Sequence, residues 1–177
     1  MAINFLEQLA AEWYEWSGYF VRRNVKVGRR TAGGYECELD VVAFHPTQKK
    51  LVHIEPSSDA ASWAKREEKY TKKFAAGRKY IPKLFDGIEV PKTIEQIALL
   101  SFASNKNRKT VGGGRIVTVA EFLVQVLLEV RSRSINHDAI PEQFVILRSY
   151  QLLTSNWTND IRKTLFALGG PFEEPGC

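Results

Sequence analysis

The chain has 177 residues, 44% of them hydrophobic and 25% charged, with 25 Lys+Arg against 20 Asp+Glu for a formal net charge of +5. This composition excludes a disordered or fibrous protein and suits a single compact domain, while the basic balance favours polyanionic partners such as nucleic acid. No apolar run approaches bilayer-spanning length, the opening MAINFLEQLAAEWYEW carries acids where a secretory signal carries basic residues, and Cys37 and Cys177 form neither a disulfide framework nor a metal spacing, so a cytoplasmic protein with no membrane association is expected.

Residues 5 to 16 place Phe5, Leu6, Leu9, Trp13 and Trp16 at helical spacing behind Asn4 as N-cap, and Gly18 ends that helix. From Tyr19 to Val27 the chain alternates, with Val21, Val25 and Val27 on one face, which predicts a half-buried strand. Residues 35 to 44 and 50 to 56 are two more strands, giving a three-stranded meander. A helix is predicted from about Ala60 to Ala76, capped by Ser58 or Asp59 and closed by Gly77, with Trp63, Tyr70 and Phe74 on one stripe. The run from Ile97 to Phe102 reads as a buried strand. Thr118-x-x-Glu121 is a capping box for a helix to about Arg131, whose polar stripe of Glu121, Gln125 and Glu129 on an otherwise apolar cylinder predicts deep packing on a sheet. A last helix is predicted between Glu142 and Thr154, and Gly112-Gly113-Gly114 reads as a flexible loop, since it lacks the lysine and hydroxyl of a P-loop. The expected fold is α/β, a central mixed sheet of four or five strands flanked by helices, in one domain over 1–177 with its core at about 5–130 and a C-terminal helical extension at about 140–168.

Strand alternation puts Glu36, Glu38 and Asp40 on one face of the second strand, and His53, Glu55 and Ser57 on one face of the third. If the two strands are hairpin neighbours, Asp40 and Glu55 converge, and paired carboxylates repel unless a cation lies between them. Their hard oxygen donors select magnesium or manganese over zinc. Solvent-facing acids on a sheet are the plain alternative, which suits Glu36 and Glu38. Against it for Asp40 stands the apolar run Val41-Val42-Ala43-Phe44 that follows it.

Gly34-Tyr35-x-x-x-Leu39-Asp40-Val41-Val42 followed by Leu51-Val52-His53-Ile54-Glu55-x-Ser57 resembles the core of the PD-(D/E)XK nuclease superfamily, the fold of many restriction endonucleases. The resemblance implies a restriction endonuclease-like core over roughly residues 5 to 130 and metal-dependent hydrolysis of DNA phosphodiesters, with Asp40 and Glu55 holding the divalent ion. It also implies a metal role for Glu7, the first-helix glutamate ahead of Gly18-Tyr19, although Asn4-x-x-Glu7 is a capping box that accounts for Glu7 by itself. The departure is at Ser57, where the superfamily carries a lysine that orients water and stabilises phosphate charge. Either a cation from the following helix substitutes, with Arg66 and Lys73 on the flank of the aromatic stripe, Arg66 in an early turn nearer Glu55 and Lys69 able to curl round on its long stem, or the protein is a degenerate DNA-binding or assembly module. Pro56 predicts that the strand ends or is unpaired there.

Candidate DNA contacts are Arg22 and Arg23, in a basic first strand that also holds Lys26, Arg29 and Arg30; Lys69 and Lys73 on the helix; and Lys106, Arg108 and Lys109 in a polar loop after the fourth strand. The plain alternative for the helix run is a solvated, ion-paired face. Cleavage of both strands of a duplex would call for a homodimer.

Overall fold

The structure, a computed structural model, describes residues 4–103, 107–157 and 161. Lys106, Cys177 and most of the expected C-terminal extension beyond residue 157 lie outside these. The elements are α1 (Phe5–Trp16), β1 (Phe20–Arg29), β2 (Tyr35–His45), β3 (Lys50–Ser57), α2 (Trp63–Tyr80), a short 3-10 helix (Ile81–Phe85), β4 (Glu95–Leu100), β5 (Thr110–Val111), β6 (Gly114–Thr118), α3 (Val119–Arg131) and α4 (Val145–Ser155). The contacts of the chain divide it into two compact units, Met1–Val126 and Leu127–Cys177.

The first unit is built on a mixed six-stranded sheet in the order β1-β2-β3-β4-β6-β5. The strands β1, β2 and β3 form an antiparallel meander, α2 carries the chain across to β4 parallel to β3, and β6 lies parallel to β4 with β5 antiparallel at the edge. The fold is therefore α/β with a mixed sheet, as expected, with six strands in place of four or five. The added pair is the hairpin β5–β6. Gly112 and Gly113, at φ of 57° and 83°, supply the left-handed backbone that a two-residue hairpin turn requires, so the expected flexible loop is a defined turn.

Helix α1 begins as read, with the Asn4 side chain accepting from Leu6 N at 3.1 Å. Helix α2 starts later and ends later than read. Ser62, and neither Ser58 nor Asp59, accepts from Lys65 N, and the helix passes through Gly77 to Tyr80. Gly77 is needed within the helix, because a Cβ there would overlap the His53 ring on β3. Tyr70 and Phe74 of α2 pack with Ala98 and Leu100 of β4 and with Val111 and Ile116. The alternate residues Ile97 and Leu99 line a small cavity with Ala10 and Tyr14 of α1 and Phe122 of α3, so the sheet is covered on both faces. A second cluster joins Val25, Val27, Leu39, Val42 and Phe44 to Ile81 and Phe85.

Helix α3 has the predicted capping box, Thr118 N donating to Glu121 Oε2 and Glu121 N to Thr118 Oγ1. It is not sunk on all its apolar sides: Phe122, Val126 and Val130 are buried, whereas Val124 and Leu128 are exposed. In the second unit α4 presents the buried Gln151, whose amide ties down Ile140 N and the carbonyls of Asp138 and Arg133.

Replacing glycine by alanine inside a helix ordinarily stabilises it by about 1 kcal/mol. At Gly77 the overlap with His53 reverses the sign, and Gly77→Ala should cost about 1–3 kcal/mol in urea unfolding. A stabilised variant would show that the His53 ring does not rest against the helix backbone.

Candidate active site

Ladder pairing between β2 and β3 stops at Val41 and Ile54, while β2 continues against β1 as far as Tyr35 and β3 continues against β4 as far as Ser57. The sheet splays at this point, and the next residue on each strand is Asp40 and Glu55. Asp40 N, which has lost its ladder acceptor, donates to Glu55 Oε1 at 3.2 Å. Pro56 lies in the splayed part, so β3 does not end there; it is unpaired on its β2 side, where a missing N–H does no harm.

The two carboxylates do converge, and an ammonium joins them. Lys73 Nζ donates to Asp40 Oδ1 at 2.5 Å and also to Glu55 Oε2. Burial, followed by the apposed Glu55, pushes Asp40 up to about 7, with Lys73 acting against the rise. Burial also raises Glu55, which is only 1% exposed, while Asp40 and Lys73 act to lower it. For Lys73 burial alone would lower the ammonium, but Glu55 and Asp40 together overcome it and hold the group above its ordinary value.

Behind this pair runs a buried polar chain. The amide Nε2 of Gln96 reaches His53 Nδ1 at 3.3 Å, which leaves the proton on Nε2 to be donated to Glu55 Oε1 at 2.7 Å. Burial, then Lys73, lowers His53 to about 3, so the ring is neutral. Gln96 is itself fixed, donating to Phe74 O at 2.9 Å and accepting from Arg78 Nη1 at 2.6 Å. His53 thus has both nitrogens engaged and orients Glu55 from behind.

A second cation stands beside Ser57. Lys69 Nζ lies 3.3 Å from Ser57 Oγ and 3.1 Å from Asp59 Oδ2, and Ser57 donates to the same Asp59 oxygen at 2.6 Å. The Ser57 hydroxyl leads the interactions that bring Asp59 down to about 2. Tyr70 donates to the Glu55 carbonyl at 3.4 Å.

Of the residues singled out in sequence, the structure brings Asp40, Glu55, Ser57, Lys69 and Lys73 together. Glu7 is tied to Asn4 at 2.5 Å, and its carboxyl is raised by burial and then by Asp40, so its charge is felt at the site. Arg66, the first choice for the substitute cation, is placed otherwise: it is buried, and its Nη2 donates to the carbonyls of Asp59 and Phe102. Arg22 donates to Leu84 O, and Arg23 and Lys109 are exposed. Arg108 pairs with Glu67 at 3.2 Å and lies over the Trp63 ring. Gln96, Arg78 and Asp59 were not read as site residues; a glutamine at the head of the apolar run Ile97–Leu100 was the available signal.

The donor set suits a hard divalent ion. Asp40 and Glu55 offer oxygens only, the donors that such an ion takes, and among the described residues no three His, Cys, Asp or Glu side chains converge.

Two groups here titrate in opposite senses. Asp40, raised from 3.8 to about 7, keeps its proton in the folded chain while the unfolded chain loses it, so its contribution to stability falls as pH rises from about 4 to 7. His53, lowered from 6.5 to about 3, stays neutral while the unfolded chain takes up a proton, so its contribution falls as pH drops from about 6.5 towards 3. Relative to wild type, the Tm of Asp40→Asn should therefore gain as pH rises from about 4 to 7 in EDTA, and that of His53→Gln should gain as pH falls. Parallel curves for either variant and wild type would place its titration elsewhere. No protein-family model matches this chain and no curated protein matches it in sequence.

Proposed function

We propose that the chain is a nuclease that hydrolyses DNA phosphodiester bonds with a magnesium or manganese ion held by Asp40 and Glu55. The observation that carries this reading is the convergence of Asp40 and Glu55, bridged by Lys73, at the point where β2 and β3 separate. The resemblance to the PD-(D/E)XK superfamily, and an element order of one helix, three meandering strands, a helix and a parallel fourth strand, agree with it.

When bound, a divalent ion would supply Lewis-acid polarisation of the phosphate and a nucleophile at neutral pH. The chain's own groups do the rest. His53 holds the Glu55 carboxylate in one orientation, and the neutral tautomer adds no competing positive charge. Asp40 must lose its proton to act as ligand, which ties activity to pH above about 7 until the ion lowers that threshold. Lys73 competes for the same carboxylate oxygens, and only where a cation takes its place between them would its long stem let the ammonium turn to a phosphate oxygen. Lys69, held at Ser57 Oγ, lies within reach of the position that a strand lysine at residue 57 would take.

The second reading, a DNA-binding module without hydrolysis, is favoured by Ser57 itself and by the engagement of one oxygen of each carboxylate by Lys73. Incubation of supercoiled plasmid with the protein and magnesium or manganese separates the two. Nicking is expected, with Asp40→Asn and Lys69→Ala each reducing the rate by about 10²–10³-fold. Ser57→Lys should restore activity to the Lys69→Ala chain. Lys73→Met should bind manganese more tightly than wild type and still cleave more slowly. Wild-type protein that retains plasmid yet leaves it intact with either ion is the result that establishes the binding module.

A further inference from the structure

Next to the carboxylate pair, a cleft of about 460 Å³ opens between α2 and the first half of β2. One wall is a ladder of lysines, Lys65, Lys69, Lys72 and Lys73, and the other carries Glu36 and Glu38. The lysines recur at i, i+4, i+7 and i+8, which is one face of a helix, flanking the stripe of the buried Tyr70 and Phe74. The rise from Lys65 to Lys69 and again from Lys69 to Lys73 is about 6 Å, of the order of one nucleotide step along an extended strand.

The plain alternative is a solvated lysine face balanced by acids. Its charges are not in fact balanced along the ladder: among the described residues Lys65 and Lys72 have no ion-pair partner, whereas Lys69 and Lys73 are held at Asp59 and at the carboxylate pair. Glu68 is the acid on the lysine wall, and Glu36 on the far wall is already taken by Lys79 and Tyr80.

We propose that this cleft binds one strand of a polynucleotide, its phosphates on the α2 lysines and its base edges toward Glu38, and that it leads that strand to Asp40 and Glu55. The occupant follows from the unlike walls. A duplex presents phosphates on both flanks, and its second backbone would meet the carboxylates of Glu36 and Glu38. A single strand places all its phosphates on the lysine side, and the exocyclic amino groups of its bases donate to a carboxylate. The substrate of the proposed nuclease is then a single strand, of the kind that a frayed end or the torsionally opened segments of a supercoiled plasmid present. This rests on the nuclease reading for the word substrate, but binding stands without it.

The test is fluorescence anisotropy with the full chain in EDTA, using a labelled single-stranded DNA, the same sequence as RNA, and the DNA duplex, over a range of salt. The expected result is that a single strand of either sugar binds about tenfold or more tightly than the duplex. Lys65→Ala and Lys72→Ala should each reduce the slope of log affinity against log salt by about 0.7, and Glu38→Gln should narrow the preference by improving the duplex. Equal or tighter duplex binding, or unchanged slopes in both lysine variants, overturns the cleft. If the plasmid is cut but the slopes do not move, the cleft falls and the nuclease stands. If single strands bind through these lysines and nothing is ever cut, the nuclease falls and the cleft stands.

Discussion

Two carboxylates and one ammonium, closed into a triad where the sheet splits, are the constraint that the rest of the first unit serves. Glu55 is 1% exposed and Asp40 14%, so neither charge is solvated well enough to stand alone. Breaking one partner out of such a buried set ordinarily costs about 3–5 kcal/mol. The backbone contributes to the same knot: the splay that removes a ladder bond from Asp40 N–H gives that donor to the Glu55 carboxylate. Arg78, Gln96 and His53 then hold Glu55 from behind, each with its donor and acceptor roles settled by the next. A fully partnered network of this kind fixes a carboxylate in one orientation, which a ligand to an ion must have.

Helix α2 meets two demands with two faces. Tyr70, Phe74 and Gly77 face the sheet, and burying the two aromatic rings is worth about 1.5–3 kcal/mol each. The glycine costs about 1 kcal/mol of helix propensity, which that burial offsets with a wide margin, and it lets the helix backbone approach the His53 ring. The lysine face is thereby set at a fixed distance and phase from Asp40 and Glu55. Gly114 does the same from the other side, since a Cβ there would overlap the Phe74 ring. Close approach of backbone to aromatic groups, more than any single ion pair, decides where the lysines fall.

Much of this was legible in the sequence, for a physical reason. Capping at Asn4 and Thr118, the alternation of β1 to β3 and the stripe of Tyr70 and Phe74 are local patterns, and local patterns specify local structure. Asp40 and Glu55 could be paired because hairpin register follows from alternation. What was not legible depends on tertiary approach. Gly77 looks like a helix stop unless the His53 ring is known to lie above it. The hairpin β5–β6 is two and five residues long, too short to leave a period, and its glycines read as flexibility. The choice between Arg66 and Lys73 turned on where the splay places the carboxylates along the helix. Arg66 sits two turns too early and is consumed by the carbonyls of Asp59 and Phe102. Gln96 gave only the weak sign of a polar residue heading a buried strand.

In the proposed nuclease, cations on a helix would stand in for a strand lysine, and that changes what the site must control. A lysine at position 57 of β3 would start from a buried place on the sheet face, where Ser57 is 5% exposed, whereas Lys69 is 42% exposed and must be held by contacts at its tip. Ser57 and Asp59 provide them, and they cost little, because Asp59 is also 42% exposed and its charge is largely screened. The arrangement trades rigidity for reach: an ammonium loosely clamped to a surface acid can transfer to a phosphate oxygen without leaving a buried charge behind. Lys73 has no such freedom, since its departure leaves two apposed carboxylates that only another cation can reconcile. The two lysines are therefore not interchangeable, and the difference follows from the solvent exposure of the acids they leave.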